Sequence, residues 1–188
     1  MYVHRKIYDR FLESMVTAAA GMKVGSGFDP TSQLGPLVSR RHFNRVMEFM
    51  DGARKDGART LVGGERMHDA GYFVKPTILV DTRDTMRVVQ EEVFGPVAIC
   101  IPFDNLETAV NQANDTPHGL AASVWSNDLS KVHRLIPRLK AGMVWVNTHN
   151  MLDANLPLGG FKQSGYGHDM GRAAVESYTA LKSVCMAV

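Results

Sequence analysis

The sequence predicts an α/β fold built on a parallel sheet. Three observations carry that reading. The stretch from "VAICIPF" to "MVWVN" alternates apolar runs of strand length with amphipathic helical stretches, joined by short links. That order is the mark of βαβ units, whose crossovers make neighbouring strands parallel. "VAICIPF" is apolar throughout, as expected of a strand buried on both faces. The 188-residue chain is 45% hydrophobic and 21% charged, which supports a packed core and argues against disorder.

The elements follow in order. In "HRKIYDRFLESMVTAAAG", Ile7, Phe11, Leu12, Met15 and Val16 fall on one helical stripe, and Gly21 ends it. "GSGFDPTSQLGPLVS" is rich in Gly, Pro and Ser and reads as a loop. Ser39 then caps a helix with the stripe Phe43, Val46, Met47, Met50 and Ala53, stopped at Gly57. "RTLVGG" is a short strand with a turn, and Thr77–Val80 is an extended segment after Pro76. "VAICIPF" is expected as one strand. Asp104 and Glu107 form a capping-box pattern for the helix over "DNLETAVNQAND". "LAASVWS" is the next strand. "DLSKVHRLIPRLKAG" is the next helix, which Pro137 kinks unless a new turn begins there. "MVWVN", a Gly-rich turn region, a short helix near "RAAVESY" and a last strand, "ALKSVCMAV", complete the chain. That strand pairs either with the chain's own sheet or with another subunit.

Composition excludes several classes. A net charge of +2 with scattered basic residues gives no polyanion-binding surface, so no nucleic-acid partner is expected. No apolar run approaches a membrane span, and "MYVHRKIYDR" lacks the apolar core of a signal peptide. The two cysteines, Cys100 and Cys185, show no metal-ligand spacing. No metal site is expected, and the cysteine usage points to a reducing, cytoplasmic compartment.

In an open α/β sheet, ligands bind beyond the carboxyl ends of strands. Asn147 ends "MVWVN", and the long loop "THNMLDANLPLGGFKQSGYG" follows. It reads either as a pocket wall or as a structural excursion. "EEVFGPV" places two carboxylates and an aromatic ring at the start of a strand. Glu91 and Glu92 are either surface acids or ligands for vicinal hydroxyls such as those of a ribose. Phe94 falls on the same side of an extended backbone as Glu92 and can press on a flat ring.

"EEVFGPV", "GLAASVWSND", "AGMVWVN" and "PLGGFKQSGYGHDMG" occur in an order and spacing that closely resemble the C-terminal part of the NAD(P)-dependent aldehyde dehydrogenase superfamily. The resemblance covers essentially the whole chain. It implies the parallel, Rossmann-like sheet of that family's catalytic domain, truncated at its N-terminal side. The remainder of that domain is then residues 1–165, followed by a helix and oligomerisation strand over 166–188. The cofactor-binding domain is absent from the sequence. By position, Glu92 corresponds to the glutamate that holds the nicotinamide ribose and Phe94 to the nicotinamide contact. Leu152 and Leu158 correspond to the aldehyde pocket. The cofactor implied is NAD or NADP, the substrate an aldehyde oxidised to a carboxylic acid. The partner is a second copy, in a dimer or tetramer assembled through the 179–188 strand. "NTHNMLDANLP" resembles the branch acting on phenylacetaldehyde-like substrates.

That reaction requires a cysteine nucleophile and a general-base glutamate. The resemblance puts both before Met1. Cys100 sits in an apolar strand, where burial raises a thiol pKa, and Cys185 lies in the last strand. Neither is expected to substitute, so the chain alone is expected to be inactive. The alternative is a catalytically dead assembly module that associates through its C-terminal strand.

Overall fold

The computed structural model describes residues 1–188, which divide into two compact units, 1–109 and 110–188. The first unit begins with β1 (Tyr2–His4), α1 (Arg5–Gly21) and α2 (Arg40–Lys55). The strands β2 (Arg59–Val62) and β3 (Thr77–Val80) follow, then the single turn α3 (Arg87–Gln90), β4 (Val97–Ile99) and β5 (Ile101–Phe103). β3 is the hub. It pairs antiparallel with β2 and parallel with β4, and all four of its residues are buried. Alternation along β3 feeds two cores. Leu79 packs with Phe49, Met50 and Ala53 of α2. Ile78 and Val80 pack with Cys100 against Tyr8, Phe11, Leu12 and Met15 of α1. The two helices therefore cover opposite faces of one short sheet.

The helices differ from their sequence stripes in detail. Ile7 is 46% exposed, and Tyr8 and Ala19 take places on the packed face of α1. In α2 the buried set is Val46, Phe49, Met50 and Ala53. Phe49 was not on the expected stripe. It replaces Phe43 as the aromatic anchor because the buried face follows the i, i+3, i+4, i+7 set starting at Val46. Ser39 caps α2 as the sequence implies, its hydroxyl accepting from the His42 amide at 3.2 Å. Ser39→Ala is expected to lower the stability of this unit by about 1 kcal/mol, read as a reduced denaturant midpoint with an unchanged slope.

"VAICIPF" is not one strand. It changes partner at Cys100: β4 pairs with β3, and β5 pairs in parallel with β1. The Cys100 amide still donates to Leu79 O at 3.0 Å, and its carbonyl accepts from the Tyr8 hydroxyl at 2.8 Å. A side-chain donor thus takes the place of a ladder partner at the change-over.

α4 (Leu106–Asn114) contains the division between the units. Its N-cap is Asn105, whose Oδ1 accepts from the amides of Glu107 and Thr108. Asp104, the expected cap, instead takes Arg5 Nε at 2.8 Å in an ion pair. The second unit continues with β6 (His118–Gly119), β7 (Ala121–Val124), α5 (Leu129–Leu135), β8 (Met143–Val146), β9 (Phe161–Lys162) and α6 (Gly171–Ser177). β7 and β8 form the expected parallel pair, in register Ser123 opposite Trp145. α5 stops at Leu135, and Pro137 sits in a separate 3-10 turn over 136–138, where its missing N–H costs nothing. β6 and β9 add a small antiparallel ladder that sequence pattern did not signal.

Residues 179–188 belong to no strand, contrary to the expected element over "ALKSVCMAV". A strand exists only with a hydrogen-bonding neighbour, and no edge within this chain supplies one. Leu181, Val184, Met186 and Val188 are consequently exposed.

Candidate functional site

The segment from Glu91 to Pro96 leaves α3 and enters β4, and α2 holds it in place. The Glu91 carboxylate takes Arg87 Nε at 2.9 Å and Nη2 at 3.3 Å, and pairs with Arg45 Nη2 at 3.6 Å. Both guanidinium groups lie over the buried ring of Phe49, at 4.3 Å for Arg87 and 5.1 Å for Arg45. The Glu91 hydrogen bond holds Arg87 charged to above its ordinary range. One acid of the pair is therefore built into a stack of Arg87, Phe49 and Arg45.

The other acid lies at the surface. Glu92 is exposed, and its backbone carbonyl accepts from Arg45 Nη2 at 3.3 Å. Two residues on, Phe94 has φ +54° and a side chain 72% exposed. The extended backbone expected here is thus interrupted at Phe94. A left-handed, non-glycine conformation persists only where its surroundings enforce it. Here the Phe94 carbonyl bonds the His42 ring, and the Thr77 amide donates to Pro96 O at 2.8 Å. A Cβ at Gly95 would stand 2.9 Å from Val46 Cγ2, so the backbone lies directly on α2 there. The outcome is a rigid platform that turns an aromatic ring into solvent beside a carboxylate. Such a platform suits a ligand with a flat ring attached to a sugar.

The second set of predicted residues lies in the other unit, on the loop after β8. Asn147 (φ +53°) and Asn150 (φ +55°) turn this loop sharply, a conformation asparagine tolerates better than most residues. Asn147 also locks the ends of β7 and β8. Its Oδ1 accepts from the Ser126 amide at 2.8 Å, and its Nδ2 donates to Ser126 O at 3.0 Å. Leu152 is 48% exposed at the loop's tip. Leu158 is half-buried and exchanges two 2.8 Å backbone hydrogen bonds with Asp169. The return of the loop is tight: a Cβ at Gly142 would meet Gly159 O at 1.8 Å, so only glycine fits. The structure thus places Glu92 with Phe94 on one platform and Leu152 with Leu158 on one loop. His42, Arg45 and Arg87, which support the platform, were not singled out in the sequence. His42 and Arg45 lie in "SRRHFNR", the first turns of α2 after the Ser39 cap, and Arg87 stands four residues before Glu91.

The two cysteines differ in exposure. Cys100 is fully buried, and burial pushes its thiol above the ordinary range. Cys185 is exposed in the segment outside the sheets. A thiol-exchange reagent is expected to modify Cys185 alone in the native chain, and Cys100 only after denaturation. Rapid modification of both under native conditions would overturn the burial of Cys100. No helix is long and apolar enough to cross a membrane, and no cluster of His, Cys, Asp and Glu is arranged to hold a metal ion.

Comparison with known proteins gives the platform a context. The aldehyde dehydrogenase family pattern matches residues 1–184. The phenylacetaldehyde dehydrogenase of Pseudomonas fluorescens is 43% identical over 189 aligned positions, which take in 100% of this chain and 38% of that protein. The betaine aldehyde dehydrogenase of Mesorhizobium japonicum is 40% identical, over 98% of this chain and 39% of that protein. An aldehyde dehydrogenase of Bacillus cereus, solved as its NAD+ complex, superposes with a TM-score of 0.95 at 43% identity. That match covers 97% of this chain and 37% of the other. The betaine aldehyde dehydrogenase of Staphylococcus aureus, also solved with NAD+, gives 0.91 at 38% identity, over 94% and 36% of the two chains. The chain spans less than two-fifths of the length of these relatives, and over that span it belongs to the aldehyde dehydrogenase family.

Proposed function

We propose that this chain is the C-terminal part of an NAD(P)-dependent aldehyde dehydrogenase and supplies the nicotinamide side of its active site. The observation that carries this is the exposed ring of Phe94 on a left-handed backbone beside Glu92. In the whole protein, NAD or NADP held here would supply the hydride acceptor for oxidation of the aldehyde to an acid. The chain's own residues bind and orient. The Glu92 carboxylate accepts hydrogen bonds from the two hydroxyls of the nicotinamide ribose. The Phe94 ring covers one face of the nicotinamide and excludes water from it. Leu152 and Leu158 supply apolar surface for the aldehyde's side chain. The likeness to a phenylacetaldehyde dehydrogenase supports an aromatic aldehyde as substrate.

Residues 1–165 serve as the catalytic-domain remainder and 166–188 as the oligomerisation element of a cytoplasmic dimer or tetramer. The apolar, unpaired 179–188 segment supports that role. The same segment favours a second reading, an assembly module without activity. The two are separated by ligand binding. Titration calorimetry of the purified chain with NAD is expected to show saturable binding that Glu92→Ala abolishes. Absence of binding up to millimolar NAD would leave the assembly reading. Incubation with aldehyde and NAD is expected to yield no NADH, because neither cysteine is placed as a nucleophile. Turnover that survives removal of contaminating dehydrogenases would overturn that expectation.

A further inference from the structure

The loop bearing Leu152 is pinned to the sheet by three side chains that the mechanism above does not use. In the β7–β8 ladder Ser123 stands opposite Trp145, so both side chains emerge at neighbouring points on the same face. Ser123 Oγ and His149 Nδ1 share a hydrogen bond of 2.8 Å. The His149 ring meets the edge of the Trp145 ring at 5.2 Å between centroids, with the planes at 71°. Trp145 Nε1 then donates to Met151 O at 2.7 Å. The anchoring indole is 9% exposed, whereas the residues it holds out, Met151 and Leu152, are 64% and 48% exposed. A loop tip with two exposed apolar side chains is ordinarily mobile. This one is tied to strand residues on both sides of its first turn.

We propose that Ser123, His149 and Trp145 form a pin that sets the height of the Met151–Leu152 tip, and that His149 is thereby a positioning residue selecting the size of the aldehyde's apolar side chain. The imidazole is the adjustable member. It fills the space between the serine and the indole, so shortening it lets the tip settle toward the sheet and widens the space above Leu152. The selecting role rests on the assignment of Leu152 to the aldehyde pocket. The pin itself does not.

The test therefore has two arms. In the first, NMR follows the two indole N–H groups of the full chain, with exposed Trp125 as internal reference. His149→Ala and Ser123→Ala are each expected to speed hydrogen exchange at the Trp145 indole about tenfold while Trp125 is unchanged. His149→Gln retains an acceptor for Ser123 and is expected to restore most of the protection. Unchanged Trp145 exchange in His149→Ala would overturn the pin. In the second arm, the whole enzyme carrying this chain is assayed with aldehydes of increasing side-chain size. His149→Ala is expected to shift the preferred size upward by about tenfold in relative kcat/KM, with the KM for NAD unmoved. If Leu152→Ala shifts the preference and His149→Ala does not, the inference falls and the pocket assignment stands. If neither does, the pocket assignment itself falls.

Discussion

Phe49→Ala is expected to destabilise the first unit by about 3–5 kcal/mol and to lower its thermal midpoint by more than about 10 °C. Phe49 is 1% exposed and belongs to the core with Met50, Ala53 and Leu79. Its removal leaves a cavity under β3, the strand both cores depend on. It also removes the surface over which Arg87 and Arg45 lie. The consequence is therefore larger at the Glu91–Phe94 platform than at α1. Hydrogen exchange should rise first at residues 87–95 and only later at β1 and β5. A uniform rise across the unit would mean that Phe49 supports the fold but not the platform. Phe49→Leu, which keeps most of the volume, is expected to recover much of the stability without restoring the ring contacts.

Glu92→Ala is expected to weaken NAD binding by about 10–150-fold in the whole protein, the range for losing hydrogen bonds to a charged group. Its neighbour should behave differently. Glu91→Ala removes the carboxylate that joins Arg87 to Arg45, and reaches the ligand only by loosening the backbone of Glu92. A smaller loss of affinity is expected. Arg45→Ala should then add little on top of Glu91→Ala, because both act through the same link. Calorimetry on the four proteins of that cycle, with Glu92→Ala alongside, separates the roles. Equal losses for Glu91→Ala and Glu92→Ala would refute the division between an acid that acts through Arg45 and one that acts on the ligand.

That division shows where sequence reading reaches its limit. The motif "EEVFGPV" marks a pair of acids, but Glu91 is held both by the local Arg87 and by Arg45, far away on α2, and only the first of these partners is near it in sequence. Phe94 was read as lying on an extended strand, because its positive φ is imposed by His42 and Val46 across the fold. The same holds at Asp104, which pattern makes a helix cap and a distant Arg5 turns into an ion pair. Local signals served well wherever the partner was local. Ser39 caps α2 through an amide three residues away, and "LAASVWS" and "MVWVN" each contain one strand of the parallel β7–β8 pair. "VAICIPF" had the right composition for a doubly buried strand, but composition cannot show that its two halves have different neighbours. The apolar pattern of 179–188 reads as a strand, and no strand of this chain pairs with it.

The change of partner at Cys100 also sets a schedule. β1 is complete within the first few residues, but its only partner is β5, and the Arg5–Asp104 pair that joins their ends spans 99 residues of sequence. At ordinary rates of synthesis, about 5–20 s separate the appearance of the two strands. The apolar stripe of α1 meets Ile78 and Val80 of β3 sooner, because both precede β5 in the chain. Contacts closed over such long loops slow the approach to the native state. The β1–β5 pair is therefore the last strand pairing of the first unit to form.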